Sequence, residues 1–250
     1  MKDIVLSKRM ETVVSMVSPQ SFAVADVGCD HAYVSIALAQ RKLADKVIAM
    51  DVRKGPLAIA SGNVELYGLQ DVIELRLSDG LEKLVPDEVE TIIIAGMGGL
   101  LMKRILQEGK NILSGESIRP VLILQPQSDI REIRIFLYQN AYHIVREQML
   151  MEDGKYYTVL RAEPTRQEER SERTYNETEW IYGRYELEHK DPILYDYLYK
   201  QRQTLMSIRT RLETSSKENG REEMPQKTIQ RYAEIEKELK NNAEALAYYG

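Results

Sequence analysis

The chain reads as an α/β protein: an open, mostly parallel sheet of seven strands that ends in an antiparallel hairpin, followed by an α-helical C-terminal segment. Three observations predict it. Apolar runs of strand length alternate with helical periods from Ser21 to Asn140. From Tyr142 to Glu163 the pattern switches to two strands around "EDGK", an Asp-Gly hairpin signal. Beyond Pro164, apolar residues recur every three or four positions.

The elements follow in order. Residues 6–17 predict an amphipathic helix, with Leu6, Met10, Val13, Val14 and Val17 on one face and Ser7 as its cap. "SFAVADVG" is a first strand and "AYVSIALAQRKL" a helix. "KVIAMD" is a second strand, and "GPLAIASGNVELYG" a helix with Pro56 in its first turn and Gly68 past its end. "VIELRLSDG" is a third strand. "ETIIIAG" is a fourth, apolar enough to be buried on both faces, with the helix "GLLMKRILQEG" after it. "RPVLILQPQ" and "DIREIRIFLYQN" complete five strand–helix units, which imply right-handed crossovers. Residues 1–163 form one domain on this reading and residues 164–250 a second. The charged run "TRQEERSER" lies between them, and the break "KENGREEMPQ" separates two helices of the second domain. Leu194, Leu198, Gln201, Leu205, Ile208 and Leu212 make a heptad-like stripe on one helix, and Ile229, Tyr232, Ile235, Leu239 and Leu246 line the other, which predicts a coiled-coil hairpin.

Composition narrows the function. The 250 residues are 43% hydrophobic, enough for a sizeable core, and carry a net charge of -5. Any grip on nucleic acid must therefore come from local basic patches. A single cysteine, Cys29, excludes an internal disulfide framework, and with three histidines it speaks against a structural metal site. The N-terminus is too charged for a signal peptide and no apolar run approaches membrane-spanning length, so a cytoplasmic protein is expected.

In an open parallel sheet, ligands bind beyond the carboxyl ends of the strands. The first strand delivers Gly28, Cys29, Asp30 and His31 there, the second Asp51, the third Asp79, Gly80 and Leu81, and the fourth Ala95, Gly96, Met97 and Gly98. Any one of these acids alone is an ordinary turn former. Three acids that end three successive strands point to a shared nucleoside ligand. Asp51 is spaced from Gly28 to accept from ribose hydroxyls, and Asp79 is placed to meet an adenine amino group. The first loop lacks the further glycines that a pyrophosphate requires. One close-approach glycine and an acid suit a ligand with an ammonium, a sulfonium and a carboxylate. A seven-stranded sheet closed by a hairpin is the arrangement of the class I, Rossmann-like methyltransferases, which use S-adenosyl-L-methionine. Cys29 reads as a small packing residue beneath that cofactor.

"ADVGCDHAYVSIAL", "GPLAIASGNVELYGL", "RLSDGLEKL", "IIIAGMGGLLMKRIL", "LILQPQ" and "EDGKYYTVLRAE" together resemble the bacterial tRNA (adenine-22 N1)-methyltransferases of the TrmK family. The resemblance runs in order from Leu6 to Glu163. Gln127 stands where that family tends to carry Asn, and Ala49-Met50 stand where it tends to carry Gly-Glu. The family implies methyl transfer to N1 of an adenine in the D-arm region of tRNA. Asp30, His31 and Tyr33 are the expected catalytic residues. Lys8, Arg9, Lys103, Arg104 and Gln127 are the expected substrate contacts, with Arg131, Arg134, Lys200, Arg202, Arg209 and Arg211 as further cations. A monomer or weak homodimer is expected. The competing expectations are a methyltransferase for another RNA or a small molecule, a non-catalytic RNA-binding protein on the same fold, and a nicotinamide-dependent oxidoreductase.

Overall fold

A computed structural model describes residues 3–165, 174–218 and 226–250, with side chains to residue 214 in the middle segment. Most of the run at 165–173 and of the break at 217–226 lies outside the described residues. The chain divides into two compact units, Met1–Glu172 and Arg173–Gly250.

The first unit holds a seven-stranded sheet in the order β3-β2-β1-β4-β5-β7-β6. Its strands are β1 (Ser21–Val27), β2 (Ala44–Asp51), β3 (Ile73–Leu77), β4 (Thr91–Met97), β5 (Val121–Pro126), β6 (Tyr142–Glu152) and β7 (Lys155–Pro164). The first five pair in parallel, whereas β7 runs antiparallel to both β5 and β6. The hairpin turns at Asp153 and Gly154, both left-handed at φ 50° and 74°, as the Asp-Gly pair predicts.

The helices are α1 (Lys8–Ser15), α2 (Tyr33–Gln40), α3 (Lys54–Leu66), α4 (Gly99–Glu108), the short α5 (Lys110–Leu113) and α6 (Ile130–Gln139). Ser7 caps α1 by accepting from the Met10 N–H. Side chains alternate along each central strand, so the sheet separates two cores. Val24, Val47, Ala49 and Ile93 face the side of α1, α2 and α3. Ala25, Ile48, Met50, Ile92 and Ile94 face the side of α4, α5 and α6. This two-sided burial explains why β4 reads as an unbroken apolar run.

One expected strand–helix unit is absent. The β3–β4 connection folds as turns: Ser78 Oγ accepts from the Lys83 N–H, Pro86 follows, and Asp87 is left-handed at φ 64°. A segment this short, punctuated by proline, cannot hold a full crossover helix.

The second unit contains α7 (Glu177–Tyr182), α8 (Arg184–Glu188), α9 (Pro192–Glu218) and α10 (Gln226–Leu246), with a final 3-10 turn at Ala247–Tyr249. The two short helices escape the periodicity reading because neither completes two turns. Their signal is the capping box at Asn176 and Glu179, each bonded to the other's backbone N–H. Leu194, Leu198 and Leu205 are buried as the stripe on α9 predicts. On α10 the expected stripe is corrected. Ile229 is exposed, whereas Asn242 is fully buried. Asn242 Nδ2 donates to the Leu198 carbonyl at 2.9 Å and to Gln201 Oε1 at 3.0 Å. Gln201 also accepts from the Tyr182 hydroxyl at 2.9 Å. A hydrogen-bonded polar layer therefore crosses the α9–α10 pair, and α7 joins it.

Candidate active site

The strand order reverses between β1 and β4, where their connections leave the sheet in opposite directions. At the carboxyl ends of β1, β2, β3 and β4 lies a cavity of about 630 Å³, a size typical of small-molecule sites.

The loop after β1 forms one wall. Gly28, Asp30 and Ala32 are all left-handed, at φ 75°, 50° and 60°. The sequence reading anticipated a close-approach glycine but not two strained L-residues beside it. Local bonds hold them. Gly28 N and Cys29 N both donate to the Met50 carbonyl, at 2.8 and 2.9 Å, and Ala32 N donates to the Cys29 carbonyl at 2.8 Å. Asn63 Nδ2 on α3 donates to the His31 carbonyl at 2.9 Å. The Met97 methyl stands where a Cβ on residue 28 would go, so any larger residue there must push the tip of Met97 aside.

The clamp on Met50 also sets Asp51. Its side chain is buried, and Oδ1 accepts from the Arg53 N–H at 2.9 Å. Its other oxygen has no hydrogen-bond partner among the described residues and belongs to the cavity wall. Ser78 shapes the β3 end. Its Oγ donates to the Gly80 carbonyl at 3.0 Å, which leaves Asp79 exposed on the wall. Gly80, at φ 53°, packs against Ile105 of α4.

The cavity thus brings together Gly28, Cys29, Asp30, His31, Asp51, Asp79, Gly80, Ala95, Gly96 and Met97 as the sequence predicts, with Tyr33, Arg9, Arg104 and Gln127. His31 Nε2 stands 3.4 Å from Asp30 Oδ2, and its ring lies 5.7 Å from that of Tyr33. Burial, with the charges of Asp26 and Asp51 adding to it, pushes the Cys29 thiol far up, which suits a packing role.

Four expected residues lie off the wall. Leu81 is buried in the core against Gly109. Gly98 caps α4. Lys8 is exposed and reaches the Met151 carbonyl at 3.4 Å, and Lys103 pairs with Glu132 at 3.5 Å. Among the further cations Arg134 is corrected outright. It is buried on α6 and bonds to the buried Glu147 of β6 at 3.0 Å, so it faces no solvent-borne ligand. Lys200 pairs with Asp196 and Arg209 with Glu236.

Asp26 and Gln125 are among the wall and support residues that were missed. Asp26, in β1, lines the cavity floor and accepts from Ser35 Oγ. Gln125, at the end of β5, is fully buried and accepts from both Arg9 and Gly96. The sequence signal for both is the same: a polar residue inside an otherwise apolar buried strand.

The donor set fits S-adenosyl-L-methionine. Asp51 and Asp79 offer acceptors for ribose hydroxyls and an adenine amine. The strained β1 loop provides the close backbone approach, with the bare N-terminus of α2 beside it. No helix among the described residues is long and apolar enough to cross a membrane. Among them, no group of three or more His, Cys, Asp or Glu is placed to hold a metal.

The chain matches the family described as "Methyltransferase domain" over residues 6–160. It is 41% identical over 163 residues to a tRNA (adenine(22)-N(1))-methyltransferase of Bacillus subtilis, which covers 65% of this chain and 67% of that protein. The crystal structure of the B. subtilis M1A22 tRNA methyltransferase TrmK superposes with a TM-score of 0.81 at 30% identity, over 96% of this chain and 98% of that one. A Streptococcus pneumoniae protein solved in complex with S-adenosyl-L-methionine does so with a TM-score of 0.76 at 31% identity, over 97% and 100% of the two chains. With this fold, this cavity and these relatives, the chain belongs to the methyltransferase-domain family, among the bacterial tRNA (adenine-22 N1)-methyltransferases of the TrmK type.

Proposed function

We propose that this enzyme binds S-adenosyl-L-methionine in the cavity and methylates N1 of adenine 22 in the D-arm region of tRNA. The observation that carries the reading is the convergence of Gly28, Asp51, Asp79 and Gly96 on one cavity at the strand-order reversal. The identity with the B. subtilis enzyme supports the acceptor.

The chemistry asks little of the protein in proton transfer. When bound, the cofactor supplies a methyl group on a sulfonium. Neutral adenine carries a lone pair and no proton at N1, so no strong base is needed, and holding N1 in line contributes most. Asp30 is exposed at the rim and suited to accept from the exocyclic amine while positive charge grows on the ring. Tyr33 and His31 offer ring faces beside it. The target adenine leaves its stack to enter, because its Watson–Crick edge must reach the donor. Residues 1–163 carry this chemistry, and the helical segment at 164–250 is an accessory to it.

The test is transfer of labelled methyl from S-adenosyl-L-methionine to unmodified bacterial tRNA, followed by nucleoside analysis. Label in 1-methyladenosine, lost when adenine 22 is replaced, is the expected result. Cofactor binding without transfer to tRNA would overturn the acceptor and leave the cofactor site standing.

A further inference from the structure

Arg9 enters the cavity from α1, yet among the described residues its guanidinium makes no ion pair with an acid. Its one hydrogen-bond acceptor among the described residues is Gln125 Oε1, at 2.8 Å. The same oxygen accepts from the Gly96 N–H at 3.1 Å, and Gln125 Nε2 donates to the Pro126 carbonyl at 3.2 Å. These bonds fix which way the amide points, because a flipped amide would set NH₂ against two donors. Gln125 is fully buried. Glu152 engages α1 only through the backbone N–H of Arg9, at 3.1 Å, and the guanidinium carbon lies 5.6 Å from the Tyr157 ring centroid.

We propose that Gln125 is a positioning residue that holds Arg9 as an un-neutralised cation, so that Arg9 can receive an oxyanion of the bound reactants. A carboxylate at position 125 could accept the same two bonds, but it would spend the positive charge. The neutral amide sets the direction of the guanidinium and leaves its charge and remaining N–H groups for a ligand. In a partly water-excluded cavity such a charge-assisted bond is strong. Two oxyanions are available, the methionyl carboxylate of the cofactor and a backbone phosphate of the RNA. Gln125 also ties α1 to the bulged Gly96 at the end of β4, so one amide aligns the cation with the β4–α4 loop. The proposal rests on the cavity being the cofactor site.

Gln125→Glu is the deciding variant, because it keeps the shape and the oxygen that Arg9 and Gly96 share, adds a negative charge, and gives up only the Nε2 bond to the Pro126 carbonyl. S-adenosylhomocysteine affinity by calorimetry reads the carboxylate arm. The KM for unmodified tRNA, and its slope with salt, read the phosphate arm. The expected result is a loss of about ten-fold or more in one arm in a variant that still melts cooperatively. Arg9→Gln should give the same loss in the same arm, and Gln125→Glu should add nothing in the Arg9→Gln background. Both arms within about twofold of wild type in Gln125→Glu, or an undiminished effect in the Arg9→Gln background, overturns the proposal. If Gln125→Glu does not fold, Arg9→Gln alone decides, and full affinity in both arms overturns it. Wild-type protein that fails to bind S-adenosylhomocysteine overturns the cofactor site itself.

Discussion

Ser35 Oγ on α2 donates to Asp26 Oδ2 in β1 at 2.6 Å, with both side chains closed off from bulk water beneath the cavity. Burial pushes the Asp26 carboxyl up to about 6. The Ser35 bond pulls against this, and the Asp51 charge adds slightly to it. The site therefore contains an acid that changes charge just below neutral pH.

That shift has a sign. The folded protein holds the Asp26 proton up to about pH 6, whereas the unfolded chain releases it near pH 4. The Asp26 contribution to the stability of the cofactor-free enzyme should fall as pH rises through that window, by about 3 kcal/mol at most, read as the difference between wild type and Asp26→Asn. Asp26→Asn should remove this component and melt higher than wild type at pH 7.5. Affinity for the cationic cofactor should rise in wild type as pH passes 6 and stay flat in the variant. Parallel melting profiles from pH 4 to 8 would show that Asp26 is not the titrating group.

Gly28 and Gly154 make a matched pair. Both are left-handed, at φ 75° and 74°, but only Gly28 has a neighbour, the Met97 methyl, where a Cβ would go. Gly154→Ala should cost about 1–2 kcal/mol in denaturant melts and leave cofactor binding alone. Gly28→Ala should cost a similar amount, because the tip of Met97 swings aside easily. The displaced tip then crowds the cavity, so cofactor affinity should drop about ten-fold or more. Equal cofactor affinity in the two variants refutes the crowding.

Arg134 and Glu147 should behave as a buried pair rather than as a tRNA contact. Arg134→Ala leaves a buried carboxylate uncompensated and should destabilise the fold by about 3–5 kcal/mol. Arg134→Met with Glu147→Leu should recover most of that in chemical denaturation, with the KM for tRNA unchanged. A raised KM in the well-folded double variant would restore Arg134 to the tRNA surface.

Asp30 is the exposed acid of the strained loop, 3.4 Å from His31. Asp30→Ala should leave S-adenosylhomocysteine affinity near wild type and lower kcat about 10²-fold, the scale of one lost charge-stabilising contact. A variant with intact kcat removes Asp30 from the reaction.

Much of this was written locally. Strand and helix periods, the Asp-Gly turn and the acids after β1, β2 and β3 depend on neighbours a few residues away, so the sheet and most of the cavity wall were legible in order. The short α7 and α8 were not, because helices of six and five residues carry too little period to register. Nor was the missing helix between β3 and β4, where the Ser78 turn decided the path. By itself the sequence determined which residues leave the sheet at its carboxyl edge. Only the tertiary structure decided which charges are spent and which are kept. Arg134 and Arg9 are alike on paper, but one meets Glu147 in the core and the other meets the neutral Gln125 at the cavity. Those partners lie 13 and 116 positions away along the chain, beyond the reach of any local pattern, and their distance and burial set what each charge is worth.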